Sequence, residues 1–264
     1  VDYTSDRLPD YVIRVDRFNS ALGYFSKADE TTLVIFDVDN VLIVPQDPYL
    51  QPKARVQFSN IYKELMKVLD EEQLFLFHHI VAIKNKSQLV EPDILNIIQD
   101  LQQSNVKIIA LTGAKTGAVS NIIPDVPSWR YNSLKNLGID FSNTFPKKTQ
   151  FKQLKSDDVG NYPSFEYGIV YSYGSMNNKG DVLKCAIKEL NWLPKRIIFV
   201  DDRLEHIHSV YSFLEQENPN IEFIGLHYQG ANKIATPELS KAQFIQKISK
   251  LVELTVEHDK YKNS

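Results

Sequence analysis

Dense apolar runs punctuate the chain at residues 33–37 (LVIFD), 106–112 (VKIIALT), 167–172 (YGIVYS), 196–202 (RIIFVDD) and 222–227 (EFIGLH), each closing on polar or Gly residues. Their apolarity is continuous rather than alternating and rich in Val and Ile, the pattern of a strand covered on both faces. Between the runs the period lengthens. Residues 92–104 open on Pro92 and set Ile94, Leu95, Ile97, Ile98 and Leu101 on one stripe, and residues 180–191 do so with Val182, Leu183, Ala186, Ile187 and Leu190. Apolar positions three and four apart form one helical face, and proline suits a first turn. Residues 237–256 predict a terminal helix on Leu239, Phe244, Ile245, Ile248, Leu251 and Val252. Strand and helix in alternation predict an α/β, Rossmann-like fold: a parallel sheet flanked by helices on both faces.

Two stretches break the rhythm. Residues 45–91 hold a Pro-punctuated loop, a helical pattern over 56–69 and an aromatic run over 74–79; residues 141–166 are polar and carry Lys147, Lys148, Lys152 and Lys155 without helical period. We read the first as a small inserted helical cap and the second as a loop or hairpin excursion with solvated lysines. Residues 1–44 and 92–264 then form the core domain. At about 150 residues per domain, 264 residues admit either one large domain or just under two.

Charge and composition narrow the partners. Thirty basic and 33 acidic residues leave a net charge of −3, which favours neither nucleic acid nor an anionic membrane surface. No apolar run approaches the 18 or so residues of a transmembrane helix, so a soluble protein is expected. A single cysteine, Cys185, excludes an intrachain disulfide and a Cys-rich zinc module, and reads as a small packing residue. The chain begins at Val1 rather than Met, which suggests processing or trimming and leaves periplasmic or secreted export open. Asn85-Lys86-Ser87 fits a glycosylation sequon, a match that often arises by chance. Oligomeric state has no signature here.

In open parallel sheets ligands bind beyond the carboxyl ends of the strands. The first of these ends reads Asp37-Val38-Asp39-Asn40, whose i, i+2 acids share one side of an extended chain. The second reads Thr112-Gly113, a third Asp201-Asp202, and a helix opens at Asn178-Lys179-Gly180. Four Asp side chains in one place repel unless a cation offsets them, and an all-oxygen set selects a hard ion such as Mg²⁺ when a phosphate completes its shell. Lys179 and the Thr112 hydroxyl would face that anion. The combination reads as a phosphoryl-transfer site in which a carboxylate attacks phosphorus. Taken singly, Asp37 could merely cap a turn and Thr112 could be turn chemistry. Capping requires neither Lys179 nor a second Asp pair.

The ordered set FDVDNVL, ALTGA, NKG and FVDD resembles the four motifs of the haloacid dehalogenase (HAD) superfamily. The DxDN form of the first motif also resembles a little-characterised bacterial branch of it, some of whose members are exported. The resemblance implies a Rossmann-like core with the first motif on its central strand and an inserted cap. It implies Asp37 as the nucleophile that forms an aspartyl-phosphate, Asp39 as general acid and base, Thr112 as a phosphoryl ligand, and Lys179 as charge stabiliser. It further implies Mg²⁺ held by Asp37, the Asp39 carbonyl and Asp201, with Asp202 beside them and Glu205 on a bound water. The activity implied is hydrolysis of a phosphate monoester, small molecule or protein; Asp39 argues against dehalogenation.

Departures from the pattern are Val41 in place of a Thr or Ser, and the absence of an Arg two residues beyond Thr112. The alternatives are a catalytically degenerate domain that binds a phosphorylated ligand or protein, and a phosphotransferase using the same site. His78 and His79 are expected to pack within the insertion and Phe75 and Phe77 to form its core, while His206 and His208 are expected at the surface or behind the site rather than as ligands. A short insertion predicts a fairly open site.

Overall fold

A computed structural model describes residues 8–261; the expected core residues 1–7 and 262–264 lie outside the described residues. In chain order the elements begin β1 (Val12–Val15), α1 (Leu22–Phe25), β2 (Thr32–Phe36), β3 (Ile43–Pro45), α2 (Pro52–Gln57), α3 (Ser59–Met66), α4 (Glu71–Lys84), β4 (Ser87–Leu89), α5 (Ile94–Gln103) and β5 (Lys107–Thr112). They continue α6 (Val126–Asn136), β6 (Thr149–Gln150), β7 (Ser164–Glu166), β8 (Ile169–Tyr171), α7 (Lys179–Leu190), β9 (Arg196–Asp201), α8 (Leu204–Glu217), β10 (Glu222–Tyr228) and α9 (Lys241–Tyr261).

The architecture is α/β. Eight strands lie in the order β1-β10-β9-β2-β5-β8-β7-β6. The first six are parallel, and β7 and β6 close the far edge antiparallel. The continuous apolarity of the inner strands has a direct cause. Leu33 and Ile35 of β2, Ile109 and Leu111 of β5 and Ile197 and Phe199 of β9 face Val182 and Leu183 of α7 and Ile207 and Val210 of α8. The alternate residues Val34, Phe36, Ile108, Ala110, Ile198 and Val200 face the other way, toward Ile94, Ile97 and Ile98 of α5 and Val126 and Leu134 of α6. Each large side chain so removed from water contributes roughly 1.5–3 kcal/mol.

Four features refine the sequence reading. The run 167–172 yields only a three-residue strand, because Tyr167 and Gly168 turn the chain with φ of 56° and 75°. A side chain at 168 would strike the Phe141 carbonyl, its Cβ 2.1 Å from that oxygen. Residues 141–166 supply β6 and β7, so the excursion joins the sheet. The insertion of residues 45–91 springs from a hairpin of β3 with β4, which begins at Ile43, and carries α2, α3 and α4 above it. The aromatic run belongs to α4, which opens on a capping box between Asp70 and Gln73 and buries Leu76, Phe77, Ile80 and Val81. These helices lie against α9, where the Phe58 and Phe244 rings meet at 4.8 Å, in one apolar core shared with α5. No helix of the described residues is long and apolar enough to cross a membrane.

Candidate functional site

The inner strands β9, β2 and β5 end side by side, so the residues that follow them meet by construction. Asp37, one residue past β2, donates its backbone N–H to the Val200 carbonyl at 2.9 Å and is thereby locked beside the end of β9. Asp201 is the last residue of β9. Lys179 opens α7, whose N-cap Asn178 accepts from the Asp181 N–H at 2.8 Å. The Lys179 ammonium lies 2.9 Å from Asp37 Oδ1 and 2.6 Å from Asp201 Oδ2, and all three side chains are buried. Asp37 Oδ1 also accepts from the Val38 N–H, and Asp201 Oδ1 from the Arg203 N–H.

Asp202 follows with its carbonyl held by His227 at 3.0 Å and Gln229 at 3.2 Å, and its carboxylate 3.5 Å from the Asn40 amide nitrogen. One ammonium therefore pairs with two carboxylates, and Asp202 adds a third within reach of their charges. Burial, reinforced by the Asp201 charge, pushes Asp37 up to about 6. Burial with the charges of Asp37 and Asp201 pushes Asp202 up to about 8. For Asp201 burial acts upward too, but Lys179 and His206 outweigh it and hold the carboxyl below its ordinary value. Burial works against the Lys179 charge, yet its two carboxylate partners keep the ammonium above its ordinary value.

His206, expected at the surface or behind the site, stands behind Asp201 and also comes within reach of a ligand's place. Its Nδ1 lies 3.1 Å from both Asp201 oxygens, because the third residue of α8 faces back toward the strand end. Ligand atoms of Asp37, Asp201 and His206 lie within 4.8 Å of one another, a set able to hold a metal ion. Glu205, which the resemblance puts on a metal-bound water, instead pairs with Arg203, its carboxylate 2.6 Å from Nε. His208 meets the Tyr11 hydroxyl at 2.7 Å, away from the carboxylates.

Asp39 goes elsewhere. Asn40 adopts φ 65°, tolerable for asparagine, and its N–H bonds back to the Ile43 carbonyl at 2.8 Å. This tight turn sends the Asp39 carboxylate, 61% exposed, toward Arg130 Nη2 at 3.5 Å rather than into the Lys179 cluster. The i, i+2 spacing on an extended chain therefore misleads, since β2 ends at Phe36. Thr112 is buried at the end of β5, and its hydroxyl oxygen accepts from the Ala114 N–H at 3.2 Å. That is the turn role its Thr-Gly context allows, and it leaves the hydroxyl hydrogen to give.

Beyond Asp39 opens a cavity of about 390 Å³, floored by Gly113 and Ala114 and walled by Phe75 and His78 of α4 and Trp129 and Arg130 of α6. The short insertion predicts a fairly open site; α4 gives this space a wall. His78 is exposed on it, whereas His79 is buried and donates from Nδ1 to the Phe75 carbonyl at 2.8 Å. Phe77 packs in the core, and Cys185 is buried on α7. The Asn85 amide caps α4 on the Val81 carbonyl at 2.9 Å.

A family model described as a protein of unknown function (DUF2608) matches residues 14–255. Uncharacterized protein RP295 of Rickettsia prowazekii is 33% identical over 232 residues, 82% of this chain and 76% of that protein. An uncharacterized protein of Rickettsia bellii is 28% identical over 201 residues, 74% of this chain and 68% of its own length. One from Rickettsia felis is 34% identical over 167 residues, 62% of this chain, and the match spans 54% of that relative. Among solved structures, the hydrolase, haloacid dehalogenase-like family protein SP0104 from Streptococcus pneumoniae aligns with 70% of this chain and 81% of its own. That alignment has 14% identity and a TM-score of 0.34.

Proposed function

We propose that the chain, which belongs to the DUF2608 family, is a Mg²⁺-dependent phosphatase that hydrolyses a phosphate monoester through an aspartyl-phosphate on Asp37. One observation carries the reading: Asp37, Lys179 and Asp201, from three distant stretches with the HAD-like motifs, share a single buried ion-pair cluster. Carboxyls outnumber the ammonium there: Asp37 is pushed up by burial and by the Asp201 charge, and Asp202 by burial and by the charges of Asp37 and Asp201. That surplus fits a divalent cation: Asp37, Asp201 and His206 present ligand atoms close enough together to hold one, and Asp202, next in sequence, adds a further carboxylate beside them. Bound Mg²⁺ would supply positive charge against the phosphoryl oxygens and neutralise the surplus carboxylates.

The protein groups then divide the work. An Asp37 carboxylate oxygen forms the bond to phosphorus as the ester oxygen leaves with the bonding pair. Asp39, at the rim of the cavity, gives that oxygen a proton and later takes one from the water that cleaves the acyl phosphate. Lys179 stabilises charge on Asp37 and on the transferring group, and the Thr112 hydroxyl donates its hydrogen to a phosphoryl oxygen.

Purified protein is expected to release phosphate from p-nitrophenyl phosphate with Mg²⁺ and to stop on addition of chelator. Asp37→Asn should lower the rate at least about 10³-fold. Turnover that survives this substitution removes the covalent mechanism. Thermal stabilisation by phosphate esters without phosphate release from any of them assigns the site to binding alone. Phosphate passed to added alcohols or nucleosides assigns it to phosphotransfer.

A further inference from the structure

We propose that the cavity beside Asp39 holds a second anionic group of the substrate on Arg130 and Arg55. The substrate is then a small phosphate monoester whose leaving portion carries a carboxylate or a further phosphate. The proposal rests on the phosphatase reading and adds the substrate class to it.

Position is the first argument. The cavity, about 390 Å³, is bounded by Asp39, Asn40 and Gly113 but by none of Asp37, Lys179 and Asp201. It therefore adjoins the proposed acid rather than the nucleophile, which is the side on which a leaving portion sits. A space of this size suits a small molecule.

Charge is the second. Arg55, Arg130 and Arg203 line the cavity against one carboxylate, Asp39. Arg203 is engaged by Glu205. The Arg130 side chain is 8% exposed, yet its one bond to a carboxylate is a single contact of 3.5 Å, and its Nε is buried with no partner. A buried guanidinium with an unpaired donor is costly, and its fork matches the two oxygens of a carboxylate or phosphate. The Trp129 ring centre lies 4.9 Å from the guanidinium carbon. Arg55, half-buried on α2, lies 5.2 Å from the Tyr62 ring centre and makes no ion pair with any described carboxylate. Both cations thus enter the cavity from separate elements with binding capacity unfilled, while Phe75, Trp129 and Leu50 offer apolar walls to a carbon stem.

Isothermal titration calorimetry with Mg²⁺ tests this on non-hydrolysable probes: benzylphosphonate, its 3- and 4-carboxy derivatives, and xylylene bisphosphonate. At least one probe with the second anion should bind ten or more times tighter than benzylphosphonate. The carboxylate and phosphonate arms report which anion is preferred. Arg130→Gln should shrink the margin to threefold or less. Arg55→Gln, at a partly exposed position, should reduce it too. Equal affinity across the probes, no binding of any of them, or a margin unchanged in both variants overturns the subsite. Turnover separates the two readings. Phosphate release from phenyl phosphate with no preference for its carboxylated esters keeps the phosphatase and overturns the subsite. A clear affinity margin in protein that releases phosphate from no ester keeps the subsite and overturns the phosphatase.

Discussion

Lys179 touches both Asp37 and Asp201, and no second ammonium joins them among the described residues. What remains uncompensated sits on Asp37, pushed up to about 6, and Asp202, pushed up to about 8, against an ordinary value of 3.8 for each. Both folded values are raised. The folded protein therefore binds more protons than the unfolded chain between pH 3.8 and 8, so without a cation this pair makes the fold less stable as pH rises through that window. A divalent cation bound there would reverse the penalty and expel the protons. Mg²⁺ is expected to raise the unfolding midpoint more at pH 8 than at pH 5.5, and its binding at pH 7 to release protons. Calorimetry in buffers of different ionisation enthalpy measures the release, and a shift equal at both pH values with no proton release counts against the assignment. His206, on the third position of α8, was findable from the helix phase after Asp201. Arg130 was not: 91 residues separate it from Asp39, and nothing local marks the pair.

At the scale of elements, the position of Lys179 depends on how closely α7 approaches α8. A Cβ on Gly180 would lie 2.1 Å from the Ser209 carbonyl oxygen, and the Gly180 N–H donates to the Ser209 hydroxyl at 3.1 Å. Gly180→Ala must part the two helices. We expect a loss of about 1–3 kcal/mol in urea unfolding and at least tenfold in the rate of the proposed phosphatase reaction, because the residue before it carries the ammonium. Gly23→Ala is the control: nothing lies within 4 Å of its Cβ, and it should be neutral or slightly stabilising. The elements that frame the site were legible for the same reason that they frame it. β2, β5 and β9 are covered on both faces and so read as unbroken apolar runs, and α5 and α7 bury one stripe each. α4 was legible only as an aromatic run, being apolar around most of its circumference. α6 mixes Pro127, Ser128, Arg130 and Asn132 into a helix with no clean stripe. Strands of two to four residues, such as β1, β3, β4, β6 and β7, are too short for any period. Asp37, Lys179 and Asp201 were legible because each sits at an element boundary; where the Asp39 side chain points was not, since a tight turn decides it.

Across the whole molecule, the first and last thirds of the chain depend on one another. α3 and α4 rest on α9, which buries Phe244, Ile248, Leu251 and Val252 in the same core. Phe244 is wholly buried against Phe58. Phe244→Ala is expected to cost about 3–5 kcal/mol, measured by urea unfolding. A loss under 1 kcal/mol would mean that the terminal helix does not hold the inserted ones. The far edge of the sheet has a different consequence. Without β6 and β7 the sheet would end on β8, three fully buried residues with one row of backbone groups unpaired. As built, it ends on a two-residue strand, with Lys148 reaching back to a buried Glu166 on the strand beside it. Such a margin offers an incoming chain almost nothing to pair with, so the excursion guards the protein against strand-by-strand aggregation.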